Sequence, residues 1–270
     1  MTVDSTAPPR RRPKGSFGVQ TPVSGEAVIL ESPPRNYEGP KFVANLLSLD
    51  RRHSKWVHEN CLTDWAYFFL RFFEYSGDGL FWLPAAAAFW ISPSAGTPDT
   101  RMFAANLFVS LIFDLIVVGS IKSFVRRRRP SYNRGHLVVV SLDKWSFPSG
   151  HSTRAAMVMT LFWLYTPLWR SLINQSWYPY LALRFENNSS MALFLLPLVE
   201  KHLLVIANCA FSIWALGTIC SRVVLGRHYI LDVIGGVMVG MLEALVAHFF
   251  LHVPTKVSEL QHAYLLSKYV

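Results

Sequence analysis

Blocks of apolar residues, long enough or nearly long enough to cross a lipid bilayer, constrain this chain more than any other feature. Hydrophobic residues make up 51% of its 270 residues, and they gather in segments instead of recurring periodically as in a soluble domain. The segments are residues 80–92, 102–121, 152–169, 203–220 and 231–251. Four of them reach or approach the roughly 20 residues that a spanning helix needs, and the first is marginal. The pattern predicts an all-α, polytopic membrane helix bundle of about five spans.

The rest of the chain divides into flanking regions. Residues 1–40 form a basic tail rich in Pro, Ser, Thr and Gly, for which we expect disorder and either contact with anionic lipid headgroups or simple solvation. Residues 41–75 are amphipathic, with aromatic side chains at helical spacing, and predict an interfacial helix that lies on the bilayer. The membrane domain then covers residues 76–252, with a connection at residues 170–202, and a C-terminal tail covers residues 253–270.

Few polar groups interrupt the predicted spans. Asp114 and Glu243 are ionisable, and for each we favour pairing inside the bundle over a direct function. The glycine run at residues 235–240 permits close contact between helices. No CxxC pair and no metal cluster can be built from the cysteines, and the two that lie in an apolar segment are expected to be buried. The three cysteines are Cys61, Cys209 and Cys220.

Alternation of the spans brings several helix ends to one side of the membrane. The second segment ends in Lys-Ser-Phe-Val-Arg-Arg-Arg-Arg-Pro at residues 122–130, and the third begins with Phe-Pro-Ser-Gly-His-Ser at residues 147–152. The fourth joins the fifth through residues 221–232. One membrane face therefore collects eight residues: Lys122, Arg129, Ser149, Gly150, His151, Arg222, His228 and Asp232.

Several of these residues suit the binding of a phosphate group. Gly150 lets the backbone approach a ligand closely, and the free N–H groups at a helix start attract an anion. Lys122, Arg129 and Arg222 supply positive charge for the phosphoryl oxygens. Because side chains neutralise these oxygens, we expect no metal and no other cofactor.

The two histidines suit phosphoryl transfer. His228 is the predicted nucleophile, and Asp232 shares a helix face with it if the last span begins there, so that the carboxylate orients the ring. His151 is predicted to protonate the departing oxygen and later to accept a proton from water. One neutral and one protonated histidine imply a bell-shaped pH profile around neutrality. Taken alone, a His and an Asp at a membrane interface also fit a solvated pair.

Three motifs in this order resemble the signatures of the type 2 phosphatidic acid phosphatase (PAP2) superfamily, which also includes soluble vanadium haloperoxidases. They are Lys-x6-Arg-Pro at residues 122–130, Pro-Ser-Gly-His at residues 148–151 and Ser-Arg-x5-His-x3-Asp at residues 221–232. The resemblance covers about residues 76–252 and implies a PAP2/haloperoxidase-like helical core. It implies the following roles: phosphate binding by Lys122, Arg129, Ser149, Gly150 and Arg222, and catalysis by His228, Asp232 and His151.

Within the superfamily, the long tail, the interfacial segment and the Gly-Arg-His sequence look most like the polyisoprenoid diphosphate, or presqualene diphosphate, phosphatase branch. The resulting hypothesis is a metal-independent membrane phosphatase that hydrolyses isoprenoid mono- and diphosphates, such as presqualene or farnesyl diphosphate, through a phosphohistidine. A broad-specificity phosphatidate or lysophosphatidate phosphatase is the near alternative, and a non-catalytic membrane organiser is the more distant one. The expected partners are a lipid phosphate substrate and membrane lipids, without nucleic acid, and the sequence indicates no oligomeric state.

The distribution of positive charge predicts the orientation of the site. Seven Lys or Arg residues lie between residues 122 and 151, and two more lie between residues 221 and 232. Basic residues in short loops favour the cytoplasmic side of a membrane. We therefore expect an active site that faces the cytosol, in the endoplasmic reticulum and possibly the nuclear envelope.

Overall fold

The structure of the protein, a computed structural model, describes residues 40–92, 97–133, 144–185 and 189–267. The predicted tail at residues 1–40 lies almost wholly outside this part of the chain. Within it the regular elements are helices, joined by short turns, and no β-strand occurs. The helices are α1 Lys41–Cys61, α2 Asp64–Ser76, α3 Gly79–Ile91, α4 Pro98–Val125, α5 Gly150–Leu164, α6 Thr166–Arg184, α7 Ser189–Val224, α8 Ile230–Phe250 and α9 Thr255–Ser267.

The predicted all-α membrane bundle is confirmed for these residues. Three helices, α4, α7 and α8, are long and apolar enough to cross a membrane. Their outer faces expose large apolar side chains, as lipid-facing helices do. Among these side chains are Leu115, Ile116, Ile206, Ile213, Met238 and Leu242. With 13 and 15 residues, α3 and α5 are each only about 20 Å long, short of the roughly 30 Å of hydrocarbon.

Two predicted boundaries are wrong. The third segment does not run through to residue 169, because the helix stops at Tyr165 and α6 begins at Thr166, with a proline in its first turn. The predicted connection at residues 170–202 is largely helical, and it is divided between α6 and α7. Its polar residues pair across these two helices, since Arg170 Nε lies 2.6 Å from Glu200 Oε1.

The predicted interfacial segment consists of two helices, α1 and α2. They separate at Thr63, whose hydroxyl accepts a hydrogen bond from the Ala66 N–H at 3.2 Å and so caps α2. The outer face of α2 is aromatic and open, with Trp65 88% exposed. Its inner face and that of α1 carry buried polar side chains, among them Asp50 and Glu74. The segment therefore also packs polar groups against the bundle.

The core of the bundle lies around α5. Leu111 of α4, Met157 and Leu161 of α5 and Ala244 of α8 are almost completely buried together. Helix α5 is thus enclosed by its neighbours, and its amino-terminal end carries the Pro-Ser-Gly-His motif. The expectation of buried cysteines is wrong, because all three are exposed and those of α7 face away from this core.

Candidate active site

Helices α5 and α8 meet backbone to backbone, and this contact assembles the site. A Cβ atom on Gly236 would lie 2.8 Å from the Ser149 carbonyl oxygen, and one on Gly240 would overlap the carbonyl oxygen of Thr153. The close contact expected of the glycine run is therefore confirmed. It lets the Ser149 N–H donate a hydrogen bond to the Asp232 carbonyl oxygen at 3.0 Å. The first turns of the two helices consequently lie side by side.

His228 is fixed in the turn between α7 and α8, where it is 1% exposed. Its Nδ1 atom lies 2.8 Å from the backbone carbonyl oxygen of Ser146, and its Nε2 atom lies 3.2 Å from Arg129 Nη1. A carbonyl oxygen can only accept a hydrogen bond and a guanidinium can only donate one. These two contacts therefore assign the proton to Nδ1 and leave the lone pair of Nε2 directed at Arg129.

Asp232 does not contact His228 directly and is linked to it through Ser146. Its Oδ2 atom is 3.9 Å from His228 Nδ1, which is beyond hydrogen-bonding distance. Oδ2 instead accepts hydrogen bonds from the Ser146 hydroxyl and from the Tyr229 N–H, and Oδ1 accepts one from Arg127 Nη1 at 2.6 Å. The expectation that His228 and Asp232 share a helix face is wrong, because the backbone is extended at Tyr229 and α8 begins only after it.

The residues that follow α4 and those that precede α5 are held together by their backbones. Arg128 pairs with Trp145 in an antiparallel bridge, and the Ser146 N–H donates to the Arg127 carbonyl oxygen at 2.7 Å. This short pairing places Ser146 next to His228 and directs Arg127 and Arg129 into the site. The Lys-x6-Arg-Pro and Pro-Ser-Gly-His motifs thereby form one wall.

Glu74, near the end of α2, is the anchor of a buried cluster of arginines. Its Oε1 atom accepts from Arg222 Nη1 at 2.9 Å and from Arg227 Nε at 3.0 Å, and its Oε2 atom accepts from Arg71 Nη1 at 2.5 Å. Burial by itself would raise the pKa of the Glu74 carboxyl, but the cations of Arg222, Arg227 and Arg71 outweigh it and lower that pKa to about 2. Glu74 is therefore an anion at neutral pH, and it fixes Arg222 at the end of α7 and Arg227 in the turn that follows.

Arg222 keeps part of its guanidinium available. The side chain is fully buried, and its Nε and Nη2 atoms have no hydrogen-bond partner among the described residues. Buried, unsatisfied donors of a charged group are costly unless an anion accepts from them. A phosphate oxygen is the acceptor that suits them best. This observation fits the phosphate-binding role expected of Arg222.

The amino-terminal end of α5 supplies the opposite side of the site. Ser149 caps the helix, with its hydroxyl oxygen accepting from Ser152, and the helix begins at Gly150. His151 Nε2 lies 3.1 Å from the Glu74 carbonyl oxygen and 3.5 Å from Asp78 Oδ2. The imidazole thus contacts the carbonyl of the same residue whose carboxylate holds Arg222.

Burial and nearby cations favour the neutral form of both imidazoles. Burial, followed by the charges of Arg129, Arg222 and Lys122, lowers the pKa of His228 well below its usual value. Burial, followed by Arg222 and Arg154, does the same to the pKa of His151. The prediction of one neutral and one protonated histidine near neutrality therefore requires the negative charge of a bound phosphate group, which would raise both pKa values.

A second buried ion pair lies behind the site. Arg154, one turn after His151, donates from Nη2 to Asp114 Oδ2 at 2.7 Å and from Nη1 to the Gly77 carbonyl oxygen at 3.3 Å. The expected pairing of Asp114 inside the bundle is confirmed. Through Gly77 this arginine also holds the turn between α2 and α3, which carries Asp78.

All eight residues singled out in the sequence lie at this end of the bundle. Lys122, at the end of α4, is buried and lies near enough to lower the pKa of His228. Six further residues contact this set or its partners and have no role in the prediction from the sequence. Asp50, Glu74, Asp78 and Ser146 lie outside the three motifs, and Arg127 and Arg227 occupy positions that the motifs leave variable. No local pattern marks them, because the tertiary fold sets their partners.

Metal binding has no obvious ligand set in this region. Among the described residues, no group of three or more His, Cys, Asp or Glu side chains is arranged to hold a metal ion. Positive charge near His228 comes from arginine and lysine side chains.

Comparisons with known proteins agree with one another. A sequence model of the PAP2 superfamily matches residues 103–256. The chain is 32% identical to the probable lipid phosphate phosphatase beta of Arabidopsis thaliana over 213 residues, which are 78% of this chain and 92% of that protein. It is 30% identical to phosphatidylglycerophosphatase B of Bacillus subtilis over 139 residues, which are 51% of this chain and 53% of that protein.

A solved structure is also similar. The crystal structure of a transmembrane PAP2-type phosphatidylglycerolphosphate phosphatase from Bacillus subtilis covers 76% of this chain and 86% of its own, with a TM-score of 0.49 and 23% identity.

The match to the PAP2 sequence model begins within α4 and leaves α1, α2 and α3 outside it. It includes all three motifs and more than half of the residues. The chain belongs to the PAP2 superfamily.

Proposed function

We propose that this protein is an integral membrane lipid phosphatase in which His228 forms a phosphohistidine. The observation that carries the proposal is the pair of contacts made by the His228 ring. Nδ1 is held by the Ser146 carbonyl oxygen, and the lone pair of Nε2 faces Arg129. A nucleophilic nitrogen is thus directed at a cation suited to hold the phosphoryl group it would attack.

The phosphate group would occupy the space between three kinds of donor. The unsatisfied Nε and Nη2 atoms of Arg222 offer two hydrogen bonds, and Arg129 and Lys122 add positive charge. The N–H groups of Gly150 and His151, at the start of α5, complete the cradle. Donors held in place by protein contacts, as Arg222 is by Glu74, stabilise charge in a phosphoryl-transfer transition state.

The reaction would proceed in two displacements. His228 Nε2 attacks phosphorus, a P–N bond forms, and the P–O bond to the lipid breaks. His151 protonates the departing oxygen, so that the lipid leaves as an alcohol, or as a monophosphate if the substrate is a diphosphate. Water then attacks phosphorus while His151 accepts its proton, and cleavage of the P–N bond releases inorganic phosphate and restores the imidazole.

Arginine and lysine side chains would do the work that a metal ion does in other phosphatases. We therefore expect full activity in EDTA and no stimulation by magnesium. Vanadate, which adopts the geometry of the transferring group, should inhibit. Activity lost in EDTA and restored by magnesium would contradict this part of the proposal.

For the substrate we propose isoprenoid diphosphates, such as presqualene or farnesyl diphosphate. Two exposed cations, Arg128 and Lys144, support a diphosphate as the substrate. Arg128 pairs through its backbone with Trp145, the neighbour of Lys144, so both cations lie at the edge of the wall that carries Arg129. There the two could meet the second phosphate group.

A broad-specificity phosphatidate or lysophosphatidate phosphatase is the second candidate. Its support is the similarity to a lipid phosphate phosphatase and to a phosphatidylglycerophosphatase, as these relatives are named. A non-catalytic membrane organiser has weaker support, because such a protein would need neither a buried His228 tautomer nor unsatisfied donors on Arg222.

Purified full-length protein in detergent should release inorganic phosphate from a panel of farnesyl diphosphate, presqualene diphosphate, phosphatidate and lysophosphatidate. His228→Asn should abolish turnover, because an amide can still donate to the Ser146 carbonyl oxygen but cannot form the phosphoenzyme. A near wild-type rate for His228→Asn would contradict the proposed phosphohistidine mechanism.

An Arg128→Gln, Lys144→Gln double variant should lower the rate on diphosphates more than on monophosphates. Arg126→Gln is the matched control, because this exposed arginine donates to its own helix end, at Ser123.

We also propose that the site faces the cytosol, from the endoplasmic reticulum and possibly the nuclear envelope. The support remains the excess of basic residues around the catalytic loops. In sealed microsomes, an epitope inserted after Arg134 should be digested by protease without detergent. Its survival would mean that the site faces the lumen.

A further inference from the structure

Helix α1 presents one stripe of polar side chains to the loop that carries His228. Asp50, Ser54 and His58 are spaced four residues apart and so lie on the same helix face. Asp50 and Ser54 are buried, although most of α1 lies at the surface. All three contact residues more than 160 positions away in the sequence. The stripe is therefore a contact surface between α1 and the catalytic loop.

This stripe holds the loop by both of its ends. At the end of α7, His58 Nδ1 donates to the Val224 carbonyl oxygen at 2.8 Å. At the start of α8, the Ile230 N–H donates to the Ser54 hydroxyl oxygen at 2.9 Å, and the Leu231 N–H donates to Asp50 Oδ1 at 3.0 Å. The first N–H groups of a helix have no partner in their own helix. Here another helix supplies the acceptors for two of them.

The fit between α1 and the loop leaves no spare room. Gly226 has a left-handed backbone, with φ 71°, which favours glycine. A Cβ atom on it would lie 3.0 Å from His58 Nδ1 and 2.9 Å from Tyr132 Cδ2. The imidazole of His58 stacks on the Tyr132 ring, with centroids 4.8 Å apart. The turn that leads to His228 is thus enclosed from the α1 side.

A chain of charges runs from α1 to the catalytic aspartate. Asp50 Oδ2 lies 2.5 Å from Arg127 Nη2, and Arg127 Nη1 lies 2.6 Å from Asp232 Oδ1. The same guanidinium lies over the Tyr229 ring, 4.4 Å from its centroid. Asp232 in turn accepts from the Ser146 hydroxyl, next to the carbonyl that holds His228. Arg127 is thereby held from both sides by carboxylates, one of which belongs to α1.

We propose that α1 is a functional part of the active site and that Asp50 is a positioning residue for His228. Asp50 acts through Arg127 and Asp232, and through the start of α8. The inference rests on the proposed phosphatase activity. It goes beyond the family match, which covers residues 103–256 and contains no part of α1.

The test compares steady-state kinetics of full-length variants in detergent. Asp50→Asn keeps the shape and the acceptor for Leu231 but removes the charge that holds Arg127. It should lower kcat about 10-fold to 100-fold, the effect expected of a hydrogen bond to a charged group, and leave KM within about twofold. Ser54→Ala should lower kcat in the same direction by a smaller factor. Ser48→Ala is the matched control, because this exposed hydroxyl bonds only to Asn45 of its own helix.

A double-mutant cycle separates positioning from general support of the fold. If Asp50 acts through Arg127, Asp50→Asn should cost much less kcat in an Arg127→Gln background than in the wild type. Equal costs in both backgrounds, or a wild-type kcat for Asp50→Asn, would overturn the inference. If Asp50→Asn fails to fold, a wild-type kcat for Ser54→Ala would overturn it instead. Wild-type protein without activity on any lipid phosphate would count against the proposed function itself.

Discussion

Arg222 Nη1 and Glu74 Oε1 lie 2.9 Å apart, although 148 residues separate them in the chain. The contact joins α2, which lies outside the PAP2 match, to the end of α7, which lies within it. Glu74 occupies one edge of the guanidinium, and Nε and Nη2 have no hydrogen-bond partner in the part of the chain that the structure describes. The orientation of the arginine that we propose to bind phosphate is therefore set by a helix that the sequence motifs do not include.

Removal of this anion should cost stability as well as activity. The pKa of Glu74 falls from an ordinary 4.5 to about 2, which corresponds to about 3 kcal/mol of stability at pH 7. Glu74→Gln should lower the unfolding midpoint in detergent accordingly. Because the folded-state pKa is depressed, this stabilisation is complete above pH 4.5 and disappears as the pH falls towards 2. The difference between the two proteins should shrink over the same range.

Glu59→Gln provides the matched control for this measurement. Glu59 forms an exposed pair with Lys55 at 3.7 Å, and such pairs contribute little. Its unfolding midpoint should equal that of the wild type. A Glu74→Gln variant as stable as this control at pH 7 would show that the arginine cluster does not depend on the carboxylate.

Ser146 should matter to catalysis even though it does not belong to a signature motif. Its hydroxyl bonds to Asp232 and its carbonyl oxygen to His228 Nδ1. Ser146→Ala removes the hydroxyl, which also lies 3.4 Å from His228 Nδ1, and keeps the carbonyl contact, so we expect kcat to fall about 10-fold to 100-fold. Ser120→Ala is the control, because that hydroxyl bonds to its own helix at Ile116. Unchanged phosphate release by Ser146→Ala would mean that Asp232 does not act through this hydroxyl.

The pH dependence should follow the lowered pKa of His228. The imidazole must be neutral to attack, and its burial among cations keeps it neutral below its usual pKa of about 6.5. The acidic limb of the kcat/KM profile should therefore lie below pH 6.5. Arg129→Gln removes the nearest cation and should move this limb to higher pH in the residual activity. A wild-type limb above pH 6.5 would contradict the assignment.

Sequence reasoning located the parts of the site that local patterns encode. The three motifs place their residues at the ends of α4, α5, α7 and α8, and the spans follow from hydropathy. The His228–Asp232 relation was misjudged because a spacing of four residues implies a shared face only inside a helix, and Tyr229 is extended. Asp50 and Glu74 were missed because their partners are remote in sequence, and only the tertiary fold pairs them.

The misjudged region at residues 170–202 has a different cause. Charged residues there resemble a loop, since a charge inside a helix that faces lipid would be expensive. The ion pair between Arg170 and Glu200 satisfies two of these charges across α6 and α7. Hydropathy averages over a window of residues and does not register such pairs. The sequence therefore predicts one connection where the structure has parts of α6 and α7.

The close contact between α5 and α8 should depend on the absence of a side chain at Gly240. Gly240→Ala would place a Cβ atom against the Thr153 carbonyl oxygen, so the helices would have to separate. We expect a clearly lower unfolding midpoint and loss of phosphate release. Gly119→Ala on α4, where the glycine is half-buried, is the control and should keep its stability or gain slightly from helix propensity. Equal midpoints for the two variants would refute a packing role for Gly240.

A spacing set by backbone atoms leaves little freedom of motion. Because Gly236 and Gly240 already touch α5, neither helix can slide or rotate on the other without a steric clash. His228, Asp232 and the first turn of α5 must then move as a single rigid body. Adaptation to lipids of different bulk is therefore left to the helices that do not belong to this rigid body.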